Sequence, residues 1–131
     1  MVSTLYRVIY GDTDQMGVVY YGNYLRYFEA GRNEYLREKG ARYRDVEREF
    51  DIHLPVVEAN VRYRHPARYD DLLRIETEVT EVRRARLRFA YRIVREEGER
   101  LLAEGETVHA CVDREGRPVK LPERLVELLG R

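Results

Sequence analysis

Two carboxylates, Asp12 and Asp14, sit two residues apart in a stretch bracketed by Gly11 and Gly17 that runs straight into an aromatic-rich helix start at Tyr20 to Tyr24. The glycines supply the backbone freedom of a tight reversal. A helix beginning near Gly22 or Asn23 presents unpaired N–H groups and the positive end of its dipole. An acid beside such a terminus is the pairing that hydrolysis of an acyl compound needs: a carboxylate to attack or to activate water, and N–H donors for the oxyanion. The spacing Asp-x-Asp-x-x-Gly also opens a calcium loop, but Met16 holds the fifth position and Asn23 the twelfth, where a bidentate Glu belongs, which argues against calcium. An ordinary polar turn accounts for these residues equally well, so on this segment alone both readings stay open.

The elements that must position the two acids follow from changes in period. Leu5, Arg7 and Ile9 alternate with Tyr6, Val8 and Tyr10 as a first strand. From about Gly22 to Lys39 the pattern becomes helical: Tyr24, Phe28, Gly31 and Tyr35 form one stripe and Leu25, Arg32 and Leu36 the next, with Gly40 as the stop. Gly31 inside that helix costs roughly 1 kcal/mol against Ala, which predicts a close crossing by another backbone. Four more strands follow, over Val57 to Tyr63, Leu73 to Val79, Leu87 to Ile93 and Leu102 to Val112, with turns at Pro66 to Asp71, Arg83-Arg84 and Glu97-Gly98. Clean alternation over strands with short connections predicts an antiparallel sheet with one face covered by the long helix. A short terminal helix is expected over Pro122 to Leu129.

Composition narrows the partners. The 131 residues, read as one domain over 1–131, carry 24 basic and 24 acidic side chains. A formal charge of zero argues against a dedicated nucleic-acid binder and leaves small molecules as the expected partners. No apolar run approaches the roughly 18 residues of a membrane span and no signal-peptide core opens the chain, so a cytoplasmic location is expected. The lone Cys111 excludes an intramolecular disulfide, and His53, His65 and His109 have no spacing suited to a metal, so no metal or other cofactor is expected.

Gly-Asp-x-Asp-x-x-Gly-x-Val-(aromatic)-Tyr-x-Asn-Tyr, filled by Gly11 to Tyr24, resembles the signature of the 4-hydroxybenzoyl-CoA thioesterase family, and Arg32 fits the same pattern. Tyr63-Arg64-His65-Pro66-Ala67-Arg68-Tyr69-Asp70-Asp71 resembles that family's second block. The resemblance implies an α+β hotdog fold, in which an antiparallel sheet wraps a central helix, and hydrolysis of an acyl-CoA to free acid and CoA. It implies Asp14 as nucleophile or general base, Asp12 as an accessory turn residue, and the Tyr21 N–H as holder of the thioester oxygen. It also implies a homodimer joined sheet edge to sheet edge, or a homotetramer built from two such dimers. Position 21 carries Tyr, as in the hydroxybenzoyl branch, where another branch has His; Gly22 stands where the hydroxybenzoyl branch has Pro. Other hotdog thioesterases use a Glu on the helix, a position open to Glu29, although pairing with Arg32 one turn on explains that residue better.

A CoA moiety brings phosphates, and Arg offers bidentate contacts to them. Arg83 and Arg84, at a turn, are the phosphate candidates, whereas Arg86 and Arg88 read as a solvated strand face. Tyr63 and His65, in the second block, are further substrate-binding candidates. Two rivals stand beside the acyl-CoA thioesterase: a non-catalytic acyl-CoA-binding or regulatory hotdog module, and a thioesterase acting on acyl carrier protein.

Overall fold

The computed structural model describes residues 1–130. Five strands form one antiparallel sheet: β1 (Val2–Arg7), β2 (Val56–Tyr63), β3 (Leu72–Val82), β4 (Arg86–Arg95) and β5 (Arg100–Ala110). Their spatial order is β1-β3-β4-β5-β2. Helix α1 (Asn23–Glu38) lies across the sheet, with α2 (Tyr43–Phe50) and α3 (Glu123–Leu129) completing the cover. This is the expected α+β hotdog arrangement. The first strand ends earlier than its alternation suggested, at Arg7, because Tyr10–Asp12 turns as one 3₁₀ step.

Alternation on β3, β4 and β5 sends apolar side chains to the helix and charges outward. Ile75, Phe89, Tyr91, Ile93 and Leu102 are buried against α1. On the outer face Arg92 meets Glu76 at 3.1 Å and Arg88 meets Glu106 at 3.6 Å, so neighbouring strands carry opposite charges. The buried stripe of α1 is Tyr24, Tyr27, Phe28, Gly31, Tyr35 and Leu36. Leu25, expected on this face, is exposed, and Tyr27 takes its place. Gly31 does mark a close crossing, but side chains of β3 cause it: a Cβ there would stand 2.4 Å from Thr77 Oγ1 and 2.7 Å from Ile75 Cγ2. The phenyl ring of Phe28 stacks on Tyr91 with centroids 4.3 Å apart.

Helix α1 packs on β1, β3 and β4. Strand β2 is bound only to β5, and the side chains of Val56, Val57 and Tyr63 stay about half exposed. Strand β2 is therefore an edge strand that the chain covers only in part, through Val61 against the core and Tyr63 against Tyr24. Helix α2 is an addition to the elements expected from sequence, although Tyr43, Val46 and Phe50 stand at helical spacing; burial of Val46 and a bond from Leu54 N–H to the Tyr43 hydroxyl dock it. No helix among the described residues is long and apolar enough to cross a membrane.

Candidate active site

The two acids of the opening turn have different fates. Asp12 is buried, and its carboxylate accepts from the Tyr6 hydroxyl at 2.5 Å and the Ile9 N–H at 3.2 Å. Its main-chain oxygen accepts from Tyr20 N–H and from Asn23 Nδ2, each at 2.9 Å. Asp12 thus ties β1, the turn and the start of α1 into one unit. Burial, and then the neighbouring carboxylate, push the Tyr6 phenol up to about 12. The Tyr27 hydroxyl lies near the same carboxylate without a hydrogen-bond partner, and burial followed by that charge raises it too.

Asp14 is half-buried. Its N–H closes the turn onto Val18 O at 2.9 Å, and Oδ1 accepts the Met16 N–H at 2.8 Å. Gly17, at φ +80°, makes the reversal possible where a side chain would strain it. Oδ2 accepts no hydrogen bond among the described residues. A carboxylate oriented through one oxygen, with the other open, can act as a nucleophile or take a proton from water.

Across from it, α1 begins with Gly22 as its N-cap and no side-chain cap. The first two helical N–H groups are satisfied by tight turns, Asn23 onto Tyr20 O at 2.9 Å and Tyr24 onto Tyr21 O at 3.3 Å. The Tyr21 N–H has no acceptor among the described residues, which leaves it available at the positive end of the helix.

Four phenols frame this corner. Tyr20 and Tyr21 lie 4.6 Å apart by ring centroid, and Tyr63 packs edge-on to Tyr24 at 5.1 Å. The Tyr63 hydroxyl donates to Tyr21 O at 3.0 Å, bracing the peptide unit that precedes the helix. Tyr20 is raised first by its hydrogen bond to Tyr21, and Tyr63 first by burial. Raised phenols stay protonated at neutral pH, so Asp14 is the group of this corner suited to act as base.

The second sequence block proves to be the strap of the first. Val19 N–H donates to Ala67 O at 2.8 Å, Ala67 N–H donates to the Tyr24 hydroxyl at 3.1 Å, and Asp70 and Asp71 exchange backbone bonds with Val8. Of the candidates, Tyr21 and Tyr63 meet through the bond at 3.0 Å, and Asp14 stands in the turn that leads into Tyr20 and Tyr21. His65 does not join them: its ring meets Arg100 Nη2 at 2.9 Å beside the β4–β5 hairpin. Arg83 and Arg84 lie in the β3–β4 hairpin, at the opposite end of β3 from the turn, and Arg83 pairs with Glu81 at 2.5 Å. Asn23, a motif position with no assigned role, is a clamp; its place in the signature was the available signal. Glu29 is exposed and 3.8 Å from Arg32. Among the described residues no three His, Cys, Asp or Glu side chains gather as a metal site.

The model of the thioesterase-like superfamily matches residues 8–129. The chain belongs to this superfamily. The acyl-CoA thioester hydrolase YbgC of Escherichia coli is 40% identical over 121 residues, covering 92% of this chain and 89% of that protein. The 1,4-dihydroxy-2-naphthoyl-CoA hydrolase of Synechococcus elongatus is 32% identical over 126 residues, covering 94% and 91%. A solved 4-hydroxybenzoyl-CoA thioesterase, an Asp→Asn variant with 4-hydroxybenzoyl-CoA bound, superposes with a TM-score of 0.88 at 27% identity and covers 98% of this chain and 97% of that one. This superfamily membership agrees with the hotdog fold.

Proposed function

We propose that this chain hydrolyses acyl-CoA thioesters, with the Asp14 carboxylate attacking the carbonyl carbon or activating the water that does, and the Tyr21 N–H receiving the carbonyl oxygen as it becomes negative. The carrying observation is the juxtaposition at one corner of a carboxylate with a free oxygen and a helix start with a free N–H. The leaving group makes so small a set of parts sufficient. A thiol of pKa about 8.5 departs as thiolate without a strong general acid, so polarising the carbonyl and supplying one carboxylate meets the chemical need. The raised phenols around the corner are neutral donors and do not compete as bases.

The working unit in this reading is a two-fold dimer in the cytoplasm. Strand β2 offers a free edge, bound only to β5, along which Val56, Val57 and Tyr63 are half exposed. Antiparallel pairing of β2 with its symmetry mate closes the edge and lets the partner's helix cover those side chains. The test is release of free thiol from a panel of aromatic and aliphatic acyl-CoAs, by the protein and by Asp14→Asn. Turnover on at least one thioester, lost in the variant, is expected; binding without turnover would make the chain a non-catalytic module. Preference for carrier-protein thioesters over CoA thioesters would change the partner and keep the chemistry.

A further inference from the structure

Gly22, the N-cap of α1, stands at φ −65° and ψ −22°, a helical conformation that any residue adopts without strain. Its backbone does not require a glycine, and Ser, Asp or Asn would cap the helix with a side-chain oxygen that glycine lacks. Gly17 is the contrast: φ +80° explains it, and a Cβ there would meet nothing within 4 Å. At Gly22 it is the space that explains the residue. A Cβ would stand 3.0 Å from Cε2, 3.4 Å from Cδ2 and 4.0 Å from Cζ of Tyr20, all atoms of one aromatic ring. The Tyr20 ring is thus folded back over the helix start, in the hollow that the missing side chain leaves. It leans on the Tyr21 ring at 4.6 Å between centroids, and Tyr20 keeps 46% of its surface exposed.

The main chain joins this ring to both reactive groups of the corner. Asp12, Thr13 and Asp14 pair antiparallel with Tyr20, Val19 and Val18: Tyr20 N–H donates to Asp12 O, Thr13 bridges Val19, and Asp14 N–H donates to Val18 O. Asp14 and Tyr20 therefore stand on the two arms of one short hairpin, and the Tyr21 N–H follows directly along the chain. Tyr21 first, and the charge of Asp14 last of the causes, raise the Tyr20 phenol, so its hydroxyl lies within the field of the acid. A thioester carbonyl in this corner is held at two points. Its carbon, or the water that attacks it, comes to about 3 to 3.5 Å from the free oxygen of Asp14, and its oxygen takes the Tyr21 N–H. With those points fixed, the first carbons of the acyl group have little freedom, and the Tyr20 ring is placed to meet them. We propose that the Tyr20 ring, seated in the hollow at Gly22, is the wall against which the acyl group rests and sets how much bulk beside the carbonyl the protein accepts. Tyr20 is then a specificity-determining residue, and Gly22 a positioning residue that acts through it. This role rests on the thioesterase reading and specifies which part of the substrate is discriminated.

The test is a ratio of kcat/KM values on the full chain, for an acyl-CoA branched beside the carbonyl over its straight isomer. Isobutyryl- against butyryl-CoA is one pair, and an α-branched against a straight phenylpropionyl-CoA is the other. Tyr20→Ala should raise the branched-to-straight ratio about fivefold or more, near the scale on which an apolar wall discriminates one carbon. Tyr20→Leu takes its place if that variant melts early. Tyr20→Phe keeps the ring and should leave the ratio within about twofold of the parent. Gly22→Ala puts a methyl where the ring lies; it should shift the ratio about threefold or more in the parent and less than about 1.5-fold in the Tyr20→Ala background. A glycine that served only the helix start would act alike in both. An unchanged ratio in Tyr20→Ala, a Tyr20→Phe ratio that follows Tyr20→Ala, or equal shifts from Gly22→Ala in the two backgrounds would each overturn the proposal while hydrolysis itself stands. No turnover of any thioester by the unsubstituted protein would overturn the thioesterase reading, and this role of Tyr20 with it.

Discussion

Two polar clusters in this molecule are built on opposite plans. Behind α1, the hydroxyl of Tyr91 meets Thr107 Oγ1 at 2.6 Å, Thr107 meets His109 Nε2 at 2.9 Å, and His109 Nδ1 meets Leu54 O at 2.9 Å. Every polar atom of that chain is spent and all three side chains are buried. The corner at Asp14 is half open, and two of its polar atoms, Asp14 Oδ2 and the Tyr21 N–H, have no partner among the described residues. A satisfied buried network specifies structure, whereas unpaired donors and acceptors at a solvent-reachable corner stand ready for a substrate. Asp12 carries the first plan into the second region: it is a catalytic-looking acid whose bonding capacity goes to the fold.

The sharpest break of this comparison is Asp14→Asn. The amide keeps the volume and still accepts the Met16 N–H, so thermal stability should stay within about 0.5 kcal/mol of the parent. Turnover should fall roughly 10²- to 10⁴-fold, the scale of a lost general base, and further if the carboxylate is a nucleophile. A variant with near-parental kcat would move the chemistry away from this corner.

The closed cluster should answer to pH and leave the chemistry alone. Burial pushes the His109 imidazole from 6.5 down to about 4, with the Arg32 charge adding to the fall and the bond to Leu54 O opposing it. Between those values the unfolded chain takes up a proton that the folded chain refuses. The stability tied to neutral His109 is therefore complete above pH 6.5 and is lost as pH falls toward 4, roughly 3 kcal/mol in all. Denaturant melts of His109→Gln should show a flatter decline over this window than the parent, with kcat at neutral pH little changed. Parallel declines would mean that the folded and unfolded chains protonate His109 alike over this window.

How much of this was legible follows the same division. The Asp14 turn, the stop at Gly40, the strand alternations and the strap from Tyr63 to Asp71 are carried by local chemistry: turn glycines, period two, and motif residues adjacent in sequence. The His109 chain was not legible, because it joins residues from separate elements. His109 acquires meaning only when Leu54 and Thr107 converge on it. Arg83 and Arg84 show the reverse: a cluster conspicuous in sequence that lies at the far end of the sheet from its own Asp14.

Asp12→Asn separates the two acids of the turn. One amide oxygen can replace Oδ2 only in part, since the charge that strengthens the bond from Tyr6 is gone, and bonds to charged groups contribute about 1.5 to 3 kcal/mol. A stability loss of that order, read from denaturant melts, should accompany a fall in turnover well below that of Asp14→Asn. A stable but inactive Asp12→Asn enzyme would reverse the roles assigned to the pair.

The smallest effects are expected from the phenols, and they separate side chain from backbone. Tyr21→Phe removes a hydroxyl whose ring lies beside Tyr20 at the surface and leaves the N–H in place, so kcat should change less than about threefold. Tyr63→Phe deletes the bond at 3.0 Å to Tyr21 O, an exposed contact contributing about 0.5 to 1 kcal/mol. Freed of that brace, the Tyr21 peptide unit should aim its N–H less well. The loss should therefore fall mainly on kcat, at a fewfold, with KM for the acyl-CoA nearly constant. A Tyr21→Phe enzyme as inactive as Asp14→Asn would make the phenol the working group. A Tyr63→Phe enzyme altered in KM alone would place Tyr63 on the substrate instead of on the oxyanion donor.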